Sequence, residues 1–190
     1  MGDDITAVQE RDRLVAVLAG APGGDGYSLA CVAGLDAEAV VRRLGVRPAE
    51  PTAEQLRTWT EEDPFHADAE RTIGVTTVPG GCVLLQPWGF GASDSALLDR
   101  LSEGTVAYGM YANPKSGNQG SIHRDGEIEA WDLHPGGGPD EDETDDDEPD
   151  DELAELYDGE PVAYCCAFAG LRPVDQRAFT TPDLWIRLPS

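Results

Sequence analysis

The side chains with the widest chemical reach in this chain are three histidines, His66, His123 and His134. His66 lies in Glu61-Glu62-Asp63-Pro64-Phe65-His66-Ala67-Asp68, where an imidazole and the carboxylate of Asp63 or Asp68 could share a divalent ion. That spacing matches no established metal site, and an exposed histidine at an acidic helix end is the simpler reading. His123 could serve as a base toward Ser121 or Cys82. No Gly-x-Ser-x-Gly elbow accompanies it. Gly89-Phe90-Gly91 stands between a strand-like run and a helix-like run, the position of a phosphate-binding turn. Asp94 occupies the place of the third glycine in the dinucleotide fingerprint, and an acid there repels phosphate, so the segment reads as a structural turn. Lys115-Ser116 lacks P-loop spacing. These residues assign no catalytic group, metal ligand or cofactor.

Two features suit binding instead. Eleven of the thirteen residues from Asp140 to Glu152 are acidic. Such a run has no apolar surface to offset backbone entropy and its charges repel, so 136–152 is expected to be a disordered insert. It lacks the alternating ligands and central glycine of a calcium loop. Asp140, Glu141, Asp142, Asp145, Asp146 and Asp147 are its candidate docking residues. The second feature is Trp88-Gly89-Phe90: two large rings in a turn are hard to bury together, and at least one is expected to project as an interface anchor. An open sheet face could extend them into an aromatic groove with Trp59, Tyr108, Tyr111 and Trp131.

The elements that must position these residues follow from periodicity and punctuation. Residues 5–18 space Ile5, Val8, Val15 and Leu18 as one helix face. Asp36 caps a helix that stops at Gly45, and Thr52 with Gln55 forms a capping box ahead of Leu56 and Trp59. Strand-like runs occupy 27–33, 72–78, 82–87 and 105–111, and 113–120 reads as a loop. Ser93 or Asp94 caps a helix carrying Leu97, Leu98 and Leu101. The runs 120–124 and 127–133 flank Asp125-Gly126, the strongest short hairpin signal. After the acidic run come a short helix at 151–157 and an apolar one at 161–169, too short to span a membrane. The fold class is therefore α+β: an antiparallel or mixed sheet of about five strands with helices mainly on one face. The domain layout is a core at 1–135, the insert, and a C-terminal helical segment at 153–190 docking on the core.

Composition sets the limits. The 190 residues carry 37 acids against 13 lysines and arginines, a net charge of −24, and 40% are hydrophobic. A chain of this length buries roughly 70% of its extended surface, so its core needs no disulfides. Cys31, Cys82, Cys165 and Cys166 are expected to be reduced, buried thiols in a cytoplasmic protein. Arginine is used freely while Lys115 is the only lysine, which suggests a high-GC bacterial genome. The charge repels nucleic acid and anionic membrane and favours basic partners.

The chain resembles a family of uncharacterised domains common in actinobacteria, known only as a domain of unknown function. Ala33-Gly34-Leu35, Val40-Val41-Arg42-Arg43-Leu44-Gly45, Gly80-Gly81-Cys82-Val83-Leu84-Leu85-Gln86-Pro87 with Gly89-Phe90, Leu98 to Ser102, Asp125-Gly126-Glu127 and Ala167 to Arg172 carry the resemblance. It spans residues 27–172 and implies no activity and no catalytic residues.

The functional expectation is a non-enzymatic intracellular module that binds another protein with a basic surface, of the immunity or inhibitor type. The alternatives are a DNA-mimicking inhibitor of a nucleic-acid-binding protein, and a small hydrolase or metal-dependent enzyme using His123 or His66.

Overall fold

A computed structural model describes residues 2–22, 24–137 and 151–189. The six candidate docking acids from Asp140 to Asp147, and most of the proposed insert, lie outside the described residues.

In chain order the elements are α1 (Gly2–Leu18), β1 (Ser28–Ala33), α2 (Ala37–Leu44), β2 (Arg47–Ala49), α3 (Ala53–Glu61), β3 (Thr72–Val78), β4 (Gly81–Gln86), a 3-10 turn (Gly91–Ser93), α4 (Ser95–Leu101), β5 (Val106–Asn113), β6 (Gly117–Arg124), β7 (Glu127–Asp132), α5 (Asp151–Leu156), α6 (Pro161–Phe168), α7 (Arg177–Thr180) and β8 (Leu184–Arg187). Local chemistry sets many of the boundaries. Asp36 accepts the Ala39 N–H at 2.7 Å, and α2 ends where Gly45 turns left-handed at φ 64°. At α3 the Thr52 hydroxyl and the Gln55 carboxamide each accept the other residue's backbone N–H. Asp94 caps α4 through the Leu97 N–H. Asp125 and Gly126 both take positive φ, 54° and 88°, as a tight hairpin turn requires.

The architecture is α+β, with one open antiparallel sheet in the order β2-β8-β3-β4-β1-β5-β6-β7. Among the described residues it has eight strands rather than about five. Two of them, β2 and β8, carry weak strand signals and exist through their neighbours: Ile186 of β8 pairs with Ile73 of β3, and Pro48 of β2 with Ile186. The C-terminal segment thus contributes a strand inside the sheet as well as helices. The expected loop at 113–120 is mostly strand, because β5 and β6 extend as a hairpin to the pair Asn113 and Gly117.

Helices cover both faces, which corrects the one-face expectation. One face buries Leu29, Cys31, Val83, Leu85, Tyr108 and Met110 beneath α1 and α6. The other buries Ala30, Val32, Cys82, Leu84 and Ala107 beneath α2 and α4. The near-continuous apolar runs of β1 and β4 belong to strands buried on both sides. Helix α6 contacts β1, β5 and α1, so its apolar surface is covered all round. Among the described residues no helix is long and apolar enough to cross a membrane.

Candidate functional site

Where β4 ends, Gln86 is 1% exposed, and its carboxamide organises everything around it. Its Nε2 donates to the carbonyls of Ala69, Glu70 and Thr72 at 3.1, 3.0 and 3.3 Å. Its Oε1 accepts the Gly91 N–H at 2.7 Å. One buried side chain therefore ties the loop before β3 to the turn after β4. The two glycines of that turn are explained by the same group. A Cβ on Gly89 or on Gly91 would stand 2.9 Å from Gln86 Oε1. Gly89-Phe90-Gly91 is thus packed around a carboxamide, a structural turn as the sequence suggests.

Trp88 and Phe90 part company here. Trp88 is 6% exposed, and its indole N–H donates to the Ala69 carbonyl at 2.7 Å. Its ring meets Trp59 edge-on at 5.3 Å and stacks on Trp185 at 5.9 Å. Phe90 is 61% exposed and touches only the edge of the aromatic layer, through Tyr111 at 6.3 Å. So the turn projects one ring and anchors the other.

Between them opens a cleft of about 280 Å³. Its walls include Phe65, Trp88, Phe90 and Tyr111, and the carboxylate residues Asp25 and Glu70 lie on its lining. Phe65 is the most exposed large apolar side chain described, at 81%. Small-molecule pockets run from about 300 to 1,000 Å³, so this cleft lies at the small end of that range, short of the space a dinucleotide needs. The wider aromatic groove does not form: Trp59 and Tyr108 are buried, and exposed Trp131 sits on edge strand β7, away from the cleft lining. Tyr108 instead donates its hydroxyl to the Asp132 carboxylate, and burial pushes its pKa well up.

The histidines fare differently. His66 stacks on Trp59, and its Nδ1 accepts the Asp68 N–H. Among the described residues no group of three or more His, Cys, Asp or Glu side chains could hold a metal ion. His134 is exposed just after β7. His123 forms an array in which the Ser121 pairing was readable in the sequence and the Asp99 pairing was not: Asp99 Oδ1 lies 2.7 Å from Nδ1, and Ser121 Oγ lies 3.1 Å from Nε2. The types and distances match a nucleophile, a base and an orienting acid. The exposure is inverted, however. Ser121 and His123 are 3% and 0% exposed, whereas the Asp99 side chain is 42% exposed. A working nucleophile must face its substrate, so the array as it stands pins α4 to β6. Cys82 is not its alternative nucleophile. The register Cys82–Val32–Ala107–His123 puts three strand spacings, about 14 Å, between them. Burial also pushes the Cys82 thiol up to about 12, with the Asp36 charge adding to the rise.

The sequence missed Gln86, Phe65, Glu70 and Asp99. Gln86 had a usable signal, as the single polar residue closing an apolar strand.

An open antiparallel sheet layered by helices, with a small aromatic cleft lined from its β4 end, defines an α+β domain. A family model covers residues 19–158, and the chain belongs to that family, the family of unknown function DUF6461. No curated protein and no solved structure matches the chain. The matched span includes the whole cleft but stops before α6, α7 and β8.

Proposed function

We propose that the protein is a non-enzymatic binding module that holds a segment of another protein in the aromatic cleft. The observation that carries this reading is the pairing of Phe65 and Phe90, 81% and 61% exposed, on one cleft floored by residues locked in place. Single exposed rings are ordinary, but two at one concavity mark a surface that gains by being covered. The net charge of −24 favours a partner with a basic surface by long-range attraction. An immunity or inhibitor role, in which an acidic protein blocks a basic surface, fits this charge by analogy.

Selection of displayed random peptides on the folded protein tests the reading, with Phe65→Ala and Phe90→Ala proteins in counter-selection. The expected outcome is a set of basic peptides whose affinity falls about thirtyfold on Phe90→Ala, the equivalent of roughly 2 kcal/mol. Failure to enrich any peptide that separates the wild type from both variants would rule the cleft out as the docking site.

A second reading, a serine hydrolase, is favoured by the distances in the Asp99–His123–Ser121 array. It ranks lower because Ser121 is buried. Covalent labelling by a fluorophosphonate probe, abolished by Ser121→Ala, would support it; an unlabelled native protein would dismiss it.

A further inference from the structure

We propose that the cleft is built for one kind of anchor: an arginine side chain on the partner segment, with its guanidinium against the Phe90 and Tyr111 rings and near the carboxylates of Glu70 and Asp25. This rests on the partner-binding reading of the same cleft and specifies its chemistry.

The lining is selective in what it offers. Its residues include four aromatics and three prolines with two acids, Asp25 and Glu70, and among the described residues it contains no lysine, arginine or histidine. Asp25 and Glu70 are exposed, and neither is in an ion pair among the described residues. The one lysine of the chain, Lys115, follows Pro114 and is not in the lining. An anion entering here would meet two like charges. An apolar side chain would cover both carboxylates without compensating them, and burying an unpaired charge is costly. A cation meets both needs at once, because aromatic faces attract cations within about 6 Å of the ring centre and the carboxylates supply the countercharge.

Arginine fits better than lysine. Its guanidinium is flat, weakly hydrated and able to stack on a ring while its edge N–H groups bond a carboxylate. The narrow volume, about 280 Å³, admits such a side chain. The Gln86 carboxamide holds the Phe90 turn from beneath, so the cleft needs little ordering on binding.

The test is an NMR titration of the full chain with N-acetyl-glycyl-arginyl-glycine amide. Its citrulline analogue has the same shape without the charge, and its phenylalanine analogue is a third probe. The expected result is saturable shifts of the Gly89, Phe90 and Gly91 amides and the Trp88 indole N–H with the arginine peptide, at a Kd of about 1–10 mM. The citrulline peptide should bind at least about fivefold more weakly, and Glu70→Gln with Asp25→Asn should cost the arginine peptide about threefold. Both substitutions lie on exposed side chains, so the fold is retained. Equal binding of the arginine and citrulline peptides would overturn the inference, as would no cleft shifts at all. Tighter binding of the phenylalanine peptide would overturn the cationic anchor yet leave partner binding standing. The peptide selection decides the latter independently.

Discussion

Replacing Gln86 by leucine is the sharpest probe of how this site is held. The side chain is 1% exposed, so the substitution keeps the volume filled while removing every polar contact. Two N–H groups serve three carbonyls, and the oxygen accepts one backbone N–H, so three full hydrogen bonds are lost. At about 1 kcal/mol net each, the direct loss is about 3 kcal/mol. Ala69's carbonyl keeps the Trp88 indole as a donor, whereas the Gly91 N–H is left without this acceptor. A domain of this size loses roughly 2–4 °C of Tm per kcal/mol, so Gln86→Leu should lower Tm by about 6–12 °C. Urea denaturation followed by circular dichroism gives the free energy, and calorimetry gives Tm. The amides of Gly89 to Gly91 should also exchange faster, because the turn loses its inner tether. A loss under about 1 kcal/mol would refute the reasoning, since it would mean that backbone and aromatic packing hold the turn without the carboxamide.

Further outcomes follow from the same geometry. Trp88→Ala should cost about 3–5 kcal/mol by cavity formation in urea melts, whereas Phe90→Ala should stay within about 0.5 kcal/mol, and equal costs would contradict the division of labour between the rings. Gly81→Ala should destabilise by about 3 kcal/mol, because the new Cβ would collide with the Val32 carbonyl oxygen and strand β4 would have to move away from β1; calorimetry checks it. The thiols of Cys31, Cys82 and Cys165 should react with Ellman's reagent far more slowly in the native protein than in urea, since burial raises all three pKa values. The linkage has a definite sign: the unfolded thiol ionises near 9 and the folded Cys82 near 12, so its stabilising contribution is complete below pH 9 and lost as pH rises toward 12. A Cys82→Ala variant should flatten that alkaline decline in pH-dependent urea melts.

The chain's local grammar is legible without any coordinates. Asp36, the Thr52–Gln55 pair and Asp94 cap their helices, and Asp125-Gly126 makes its hairpin. Each such signal acts within about four residues, through a capping hydrogen bond or a permitted left-handed turn, so it is written where it works. The apolar stretch from Pro161 also announced a core helix. Family membership was readable for the same reason, since its glycine and aliphatic positions report the fold. Strands β2 and β8 were not legible: three residues that include a proline, and four that alternate weakly, become strands only because β8 pairs with β3 and β2 then pairs with β8. Helices on both faces were equally hidden, because a strand buried on two sides loses the alternation that would reveal which side is covered. The site is the extreme case. Asp25, Phe65, Glu70, the 86–91 turn and Tyr111 come from five separate stretches, and Asp99 meets His123 only because α4 crosses back over β6. Sequence set the residue types and the local turns. Which ring projects, which histidine is buried and which carboxylates share a cleft depend on contacts between distant segments, and those exist only once the sheet has closed its register.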